Sequence, residues 1–360
     1  MKTPSLDRVA REGVYFRNSF APTPGCSPTR ASFLTGRHPW QVEQAGTHAS
    51  SFPAKYVAFP DLLEQAGYLI GMTGKGWSPG DFTVDGRPGN PAGPSFDARQ
   101  LQPPTSGISR NDYASNFADF LAARPKDRPF YFWYGATAPH RGYAKGSGLQ
   151  AGKRLEDAPP PPFLPDTPEV RSDLLDYSLE VEWFDTHLGR MLRLLEDAGE
   201  LDDTLVIVTA DWGYPQRAVR TPEYLYIRNF RPDRWPADDP VALKDDGTPD
   251  RPHSGYKDID GGPALDVLVA RADDPGLGKY LRLAVGKRPG EELFDIRNDP
   301  GCLTNLVADP KHAGVKRQLA RQLEDYLRRT GDARVLDGGE VWESYKRYGP
   351  VRQFPPPARR

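Results

Sequence analysis

Hydrophobic residues recur along much of this chain at spacings that predict helices. Between residues 169 and 197, apolar residues follow one another at steps of three, four and seven, which is typical of a long amphipathic helix packed on a sheet. Gly199 is predicted to end this helix. Shorter helices are predicted at 4–12, 59–66, 112–122, 263–270 and 315–326.

Apolar runs of strand length lie between these helices. The run 130–135 is aromatic and suits a buried strand better than a helix. The run 205–210 is apolar and β-branched, and we expect it to form a buried parallel strand that ends at Asp211. Segments 224–228 and 280–285 alternate in part between apolar and polar residues, as half-buried antiparallel strands do. Strands that alternate with helices indicate an α/β fold.

Length and charge narrow the possible functions. With 360 residues the chain is long enough for one large α/β domain, or for a large and a small one. Its 47 basic and 49 acidic residues are interspersed and give a formal net charge of -2. Nucleic-acid binding needs a basic stripe, which this pattern does not provide, so we expect no nucleic-acid partner.

Two further observations concern location and redox state. No apolar run reaches the length of a membrane span, and Met1–Asp7 contains no hydrophobic core of a secretory signal. We therefore expect no membrane span, and the compartment stays open. Cys26 and Cys302 are the two cysteines, which is too few for a disulfide framework.

One of these cysteines lies at the start of a predicted helix, beside two arginines. Cys26 is followed by Arg30 and Arg37, and helix amides together with guanidinium groups favour an anionic nucleophile or an anionic substrate. A lone cysteine is more often a small buried hydrophobe. However, the string Cys-x-Pro-x-Arg, followed by Leu-Thr-Gly-Arg at 34–37, resembles the sulfatase signature, in which the cysteine is oxidised to formylglycine.

Three other segments resemble the same family. Lys75 stands between two glycines at the end of an apolar run and is similar to the family's sulfate-contacting lysine; the flanking glycines would let the backbone approach an anion. His140 follows the predicted strand 130–135 in a Pro-His element like that of sulfatases. Segment 292–300 resembles part of the small C-terminal sulfatase domain.

The resemblance implies a fold and a domain arrangement. It predicts an alkaline-phosphatase-like α/β fold, with a mixed sheet sandwiched by helices and a small C-terminal α+β subdomain. We expect the sulfatase domain at 1–220 and the subdomain at 221–360. The family's first strand, which ends in two adjacent aspartates, and a segment after Gly213 have no counterpart here, so we expect a truncated chain with an incomplete cation site.

The resemblance also implies an activity, namely hydrolysis of a sulfate ester or sulfamate, as in bacterial members similar to heparan N-sulfatase. Formylglycine made from Cys26 by a maturation enzyme would attack sulfur, and Arg30 would hold the nucleophile. Lys75 and His140 would contact the sulfate and the leaving group, and Lys257 the substrate. Asp211 and the modified Cys26 would bind a divalent cation, expected to be calcium. The substrate would be a sulfated small molecule or glycan.

Two other functions stay open at this point. Sulfate and phosphate are similar tetrahedral anions, so the chain could instead be a phosphate or phosphonate monoester hydrolase of the same fold. It could also be a catalytically inactive, truncated sulfatase homologue that binds sulfated sugars through Arg30, Arg37 and Lys75.

Overall fold

The structure is a computed structural model. It describes residues 1–23, 25–210, 216–244, 246, 248–256 and 259–348. The described residues form two compact units. The first unit comprises the described residues of Met1–Ala158, Ser172–Gly213 and Lys346–Gly349, and the second those of Pro159–Arg171 and Tyr214–Tyr345.

Helices account for much of the described chain, and none of them is long and apolar enough to cross a membrane. In chain order the α-helices are α1 Pro4–Glu12, α2 Cys26–Thr35, α3 Phe59–Gln65, α4 Tyr113–Ala123, α5 Ser147–Gln150, α6 Pro168–Asp197, α7 Pro263–Ala270, α8 Gly278–Val285, α9 Ala313–Arg329, α10 Ala333–Leu336 and α11 Val341–Ser344. The strands are β1 Leu69–Gly74, β2 Phe130–Gly135, β3 Arg217–Arg220, β4 Tyr224–Arg228, β5 Val241–Leu243, β6 Pro249–Pro252 and β7 Glu291–Asp295.

Strands β1 and β2 form the parallel sheet of the first unit. Their register runs from Leu69 opposite Phe130 to Gly74 opposite Gly135. The other edge of β1 is covered by an extended segment, because the Met72 N–H donates to the carbonyl of Pro94 at 2.8 Å. Since the two strands are parallel, the residues that follow them emerge at the same end of the sheet.

Alternate side chains of β2 pack into two separate cores, as the period of a strand requires. Phe130 and Phe132 pack against α4 and α6, in a cluster that contains the buried Phe117 and Phe120. On the other face, Trp133 packs against the cluster that includes residues of α2. The prediction of an aromatic strand at 130–135 is confirmed, but its residues 130–134 are half-buried rather than fully buried, and only Gly135 is buried. Helix α2 lies over the opposite face of that strand from α4 and α6.

The prediction of a strand at 205–210 is wrong. Residues 205–210 pair with no strand among the described residues, and the exposed fractions of Leu205 and Ile207 are 85% and 76%. Apolar, β-branched composition favours a strand only where a neighbouring strand satisfies its backbone and covers its side chains. The described structure places neither beside this segment.

In the second unit, β3, β4 and β7 form an antiparallel sheet in that order, which confirms the strand predicted at 224–228. The strand predicted at 280–285 is wrong, because these residues belong to helix α8. Leu281 and Val285 are one helical turn apart and are both buried against Leu268 of α7. Burial of two residues one helical turn apart therefore favoured a helix over the strand that the weak alternation predicts.

Candidate active site

Helix α2 presents Cys26 and Arg30 on one face. The helix begins at Cys26, and Arg30 follows one turn later, so their side chains are neighbours on the helix surface. The first turn is anchored on two sides: the N–H of Ala49 donates to Oγ of Ser27 at 2.9 Å, and Oγ1 of Thr29 donates to the carbonyl of Thr23. Cys26 is half-buried and forms no disulfide. The candidate nucleophile is therefore held on a fixed turn.

Arg30 connects α2 to the turn that follows β1. Its side chain is buried, and Nη1 donates to the carbonyl of Lys75 and, at 3.0 Å, to the carbonyl of Gly76. The guanidinium also lies 5.7 Å from the ring centroid of Trp133, within cation–π range. Two residues that the sequence places far apart, Arg30 and Lys75, are thus brought together through the backbone of Lys75.

The backbone of Lys75, which directly follows β1, is held by hydrogen bonds to β2. Its N–H donates to the carbonyl of Gly135 at 2.6 Å. Its carbonyl accepts from Nε1 of Trp133 at 3.0 Å, in addition to the bond from Arg30. The Lys75 side chain therefore starts from a fixed point at the carboxyl end of the sheet, where open α/β sheets place ligands.

The glycines around Lys75 meet a packing requirement. Gly74 has a φ of +75°, and a Cβ at this position would overlap the carbonyl oxygen of Gly135. A Cβ at Gly76 would overlap the sulfur of Met72 and lie 2.6 Å from Oδ1 of Asn90. These contacts explain both glycines without a bound anion, so the glycines alone are no sign of a ligand.

Sequence reasoning missed Asp97, which stabilises the end of β1. This carboxylate accepts from Oγ1 of Thr73 at 2.9 Å, from the N–H of Gly74 at 2.7 Å and from Nδ2 of Asn111 at 2.5 Å, and it also accepts from Ser95. Burial opposes ionisation of Asp97, but these hydrogen bonds outweigh burial and lower the pKa of the carboxyl group. Asp97 is therefore an ionised anchor for the turn that carries Lys75.

His140 lies on the exposed segment that follows β2. Its N–H donates to the carbonyl of Thr137 at 2.9 Å, and its Nδ1 lies 3.1 Å from the carbonyl of Arg141, as suits a ring that donates from Nδ1. The next residue, Arg141, forms an ion pair with the buried Asp173 of α6. His140 is therefore an accessible imidazole on a segment that is fixed to α6.

The other two predicted site residues, Asp211 and Lys257, lie outside the described residues. Within the described ranges, no three His, Cys, Asp or Glu side chains form a group that could hold a metal ion. The charged side chains beside the turn are Arg30 and Lys75, which are cations, and Asp97 already accepts from four donors. The described residues therefore do not by themselves form a site for a hard cation, which needs several free oxygen ligands.

The Sulfatase family model matches residues 1–257 of this chain. The human N-sulphoglucosamine sulphohydrolase is 35% identical to the chain over 250 residues, an alignment that covers 62% of this chain and 48% of the human protein. The chain thus spans about half the length of this curated relative.

Solved structures similar to this one show the fold. A structure described as a complex with its substrate D-glucosamine-2-N,6-O-disulfate has a TM-score of 0.54 at 16% identity, covering 92% of this chain and 94% of that chain. The phosphonate monoester hydrolase of Agrobacterium radiobacter has a TM-score of 0.53 at 19% identity, with 92% of both chains covered. The predicted alkaline-phosphatase-like α/β fold is confirmed, and, by the family match over residues 1–257, the chain belongs to the sulfatase family.

Proposed function

We propose that this chain carries the nucleophile and anion-binding corner of a formylglycine-dependent sulfatase, which hydrolyses a sulfate ester or sulfamate on a carbohydrate. One observation supports this proposal most strongly. Cys26 and Arg30 share one face of α2, and Arg30 donates to the backbone of the turn that presents Lys75. A candidate nucleophile and the backbone that carries a candidate anion-binding lysine are thus held at the same corner of the sheet.

The sulfatase family implies a formylglycine and a divalent cation in general. When Cys26 is converted to formylglycine, the hydrated aldehyde supplies the oxygen that attacks sulfur. The described residues do not by themselves form a site for this cation. A calcium ion bound by Asp211 and the modified Cys26, and a substrate contact from Lys257, are further proposals that involve residues outside the described ranges.

The described side chains would act on the sulfate and on its leaving group. Arg30 keeps the first turns of α2 against the turn after β1 and so fixes the distance between Cys26 and Lys75. Nζ of Lys75 would donate to a sulfate oxygen and favour the charge that develops there. The exposed imidazole of His140 would give a proton to the leaving oxygen or nitrogen.

The names of the relatives support a substrate class. The human relative is named for N-sulphoglucosamine, and the bound sugar in the similar structure carries an N-sulfate and a 6-O-sulfate. We infer that this chain acts on a sulfated amino sugar and that it needs a maturation enzyme that oxidises Cys26.

Turnover tests this proposal. The chain is produced together with a formylglycine-generating enzyme and assayed on glucosamine N-sulfate, an aryl sulfate and an aryl phosphate. We expect turnover of a sulfated compound, which Cys26→Ala abolishes and which Cys302→Ala, the matched cysteine control, leaves unchanged. Faster turnover of the phosphate would support the phosphomonoesterase alternative instead. Binding of the sulfated sugar without turnover, when Cys26 is oxidised, would support the inactive homologue.

A further inference from the structure

We propose that Trp133 is a positioning residue for Lys75, acting through a hydrogen bond from its indole N–H to the Lys75 carbonyl. The claim that Trp133 positions Lys75 concerns the geometry of this chain alone. Its consequence for catalysis rests on the function proposed above.

The contacts converge on a single peptide group. The Lys75 carbonyl accepts from Nε1 of Trp133 at 3.0 Å and from Nη1 of Arg30. The guanidinium of Arg30 in turn lies over the Trp133 ring. Trp133 therefore contacts both partners of the bond that joins α2 to the turn, and its N–H and ring face have separate tasks.

Gly135 leaves room for this arrangement. A Cβ at Gly135 would overlap the carbonyl oxygen of Lys75 and would lie 2.7 Å from Nε1 of Trp133. The N–H of Lys75 donates to the carbonyl of the same glycine. A residue without a side chain thus lets the indole, the carbonyl and the two strand ends meet at one point.

A fixed carbonyl matters because lysine is flexible. The ammonium of Lys75 is at the end of a four-carbon stem, so the space that it samples depends on the orientation of the peptide group from which the stem starts. Two donors on that carbonyl reduce the rotation of the peptide plane and so restrict the orientation from which the stem starts. Sequence reasoning found Lys75 but identified Trp133 only as part of an apolar strand.

The first test measures how well sulfate protects the Lys75 amine from acetylation, and it needs no turnover. Acetylation of Lys75 by acetic anhydride is followed by peptide mass spectrometry while inorganic sulfate is added. In Trp133→Phe, which keeps an aromatic ring beneath Arg30 but removes the donor, we expect half-protection of Lys75 to need about three- to tenfold more sulfate, as the loss of one hydrogen bond implies.

The matched control is Trp183→Phe. Trp183 is a half-buried tryptophan of the same unit, and its Nε1 has no hydrogen-bond partner in the described structure. We expect sulfate protection of Lys75 to change less than about twofold in this variant. Equal changes in the two variants would overturn the proposal.

A double-mutant cycle distinguishes positioning from general damage. If Trp133 acts through Lys75, Trp133→Phe lowers kcat on a sulfated substrate by about three- to tenfold in the parent chain but has no further effect in Lys75→Gln. An equal loss in both backgrounds would contradict the proposal. A chain without any turnover would refute the proposed function, and the acetylation assay would still decide the role of Trp133.

A second replacement covers the case in which the phenylalanine variant does not fold. Replacing the indole of Trp133 by a benzothiophene keeps the size and aromatic face of the side chain and removes the N–H donor. We expect the same loss of sulfate protection as in Trp133→Phe. Unchanged protection of Lys75 in this folded protein would overturn the proposal.

Discussion

Polar groups are buried in two parts of the first unit, and the two parts satisfy them differently. At the β1–β2 corner, the Lys75 carbonyl and the Asp97 carboxylate each accept several hydrogen bonds. On α6, one buried polar atom each of Glu180, Trp183 and His187 has no hydrogen-bond partner among the described residues. These three residues follow at steps of three and four and so share one face of the helix.

The pKa values of the two parts differ accordingly. Hydrogen bonds outweigh burial at Asp97 and lower its pKa. At Glu180, burial acts without such bonds and raises the pKa to about 7. Burial lowers the pKa of His187 to about 4, the positive charge of Arg190 adds to the effect, and Asp112 opposes it. Hydrogen bonds at the β1–β2 corner thus favour the charged form of Asp97, whereas burial on this face of α6 favours the neutral forms of Glu180 and His187.

The largest effect is expected from Arg30→Ala, which removes a buried donor from the corner. The carbonyls of Lys75 and Gly76 lose a charged partner, and we expect the free energy of unfolding to fall by about 3 kcal/mol. Chemical denaturation measures this. Arg11→Ala, an exposed arginine of α1, should change the free energy of unfolding by less than about 0.5 kcal/mol. Similar losses in both variants would remove the distinction between the corner and the surface.

Glu180→Gln should stabilise the protein at alkaline pH. The folded pKa of Glu180, about 7, lies above the ordinary 4.5 of a glutamate, so the folded state binds more protons and stability falls as pH rises from about 4.5 to 7. Allowing for partial solvent screening, we expect the variant to be about 2 kcal/mol more stable than the parent at pH 8, and no more stable at pH 4. Denaturation of both proteins at both pH values measures the difference between variant and parent; a difference that is the same at pH 8 and at pH 4 would contradict this assignment.

Below neutral pH, His187 should change the pH dependence of stability in the opposite direction from Glu180. Its folded pKa of about 4 lies below the ordinary 6.5, so the unfolded state binds more protons and stability falls as pH drops from about 6.5 to 4. We expect His187→Asn to reduce that loss by about 1.5 kcal/mol, judged from the slope of unfolding free energy against pH. An unchanged slope would mean that His187 has the same pKa in the folded and unfolded states, which would contradict this assignment.

The smallest difference is expected between two tryptophans. Trp133→Phe removes a donor that is used, whereas Trp183→Phe removes one without a partner among the described residues. The first variant should lose about 1 kcal/mol more unfolding free energy than the second. Thermal denaturation at one pH gives this difference directly, and a reversed order would show that ring packing, rather than the N–H donor, decides the effect at position 133.

The sequence predicted the signature residues better than it predicted what supports them. Cys26 and Lys75 belong to local strings in which several residue types stand at fixed spacings. Trp133 and Asp97 act through hydrogen bonds to a backbone that is distant in sequence, and no local spacing marks them. Their roles could be identified only once the strands were paired.

The errors in the predicted elements have the same origin. The segment 205–210 has the composition of a buried strand, but a strand forms only with a neighbour, and composition does not reveal the neighbour. The strand prediction at Tyr224–Arg228 is confirmed because β3 and β7 pair with this segment on both sides. At 280–285 a helix, α8, forms instead of the predicted strand, because Leu281 and Val285 are buried on one helical face. Pairing and burial, which are non-local, therefore limited the prediction of the fold.

The chemical state of Cys26 decides whether this chain can carry out formylglycine-dependent hydrolysis. We propose to isolate the chain from cells that contain a formylglycine-generating enzyme and to measure the mass of the peptide that contains Cys26, with the Cys302 peptide as internal control. We expect an aldehyde at Cys26 and an unmodified thiol at Cys302. A thiol at both positions would contradict it, because the corner formed by Cys26, Arg30 and Lys75 would then lack the nucleophile on which the proposed hydrolysis depends.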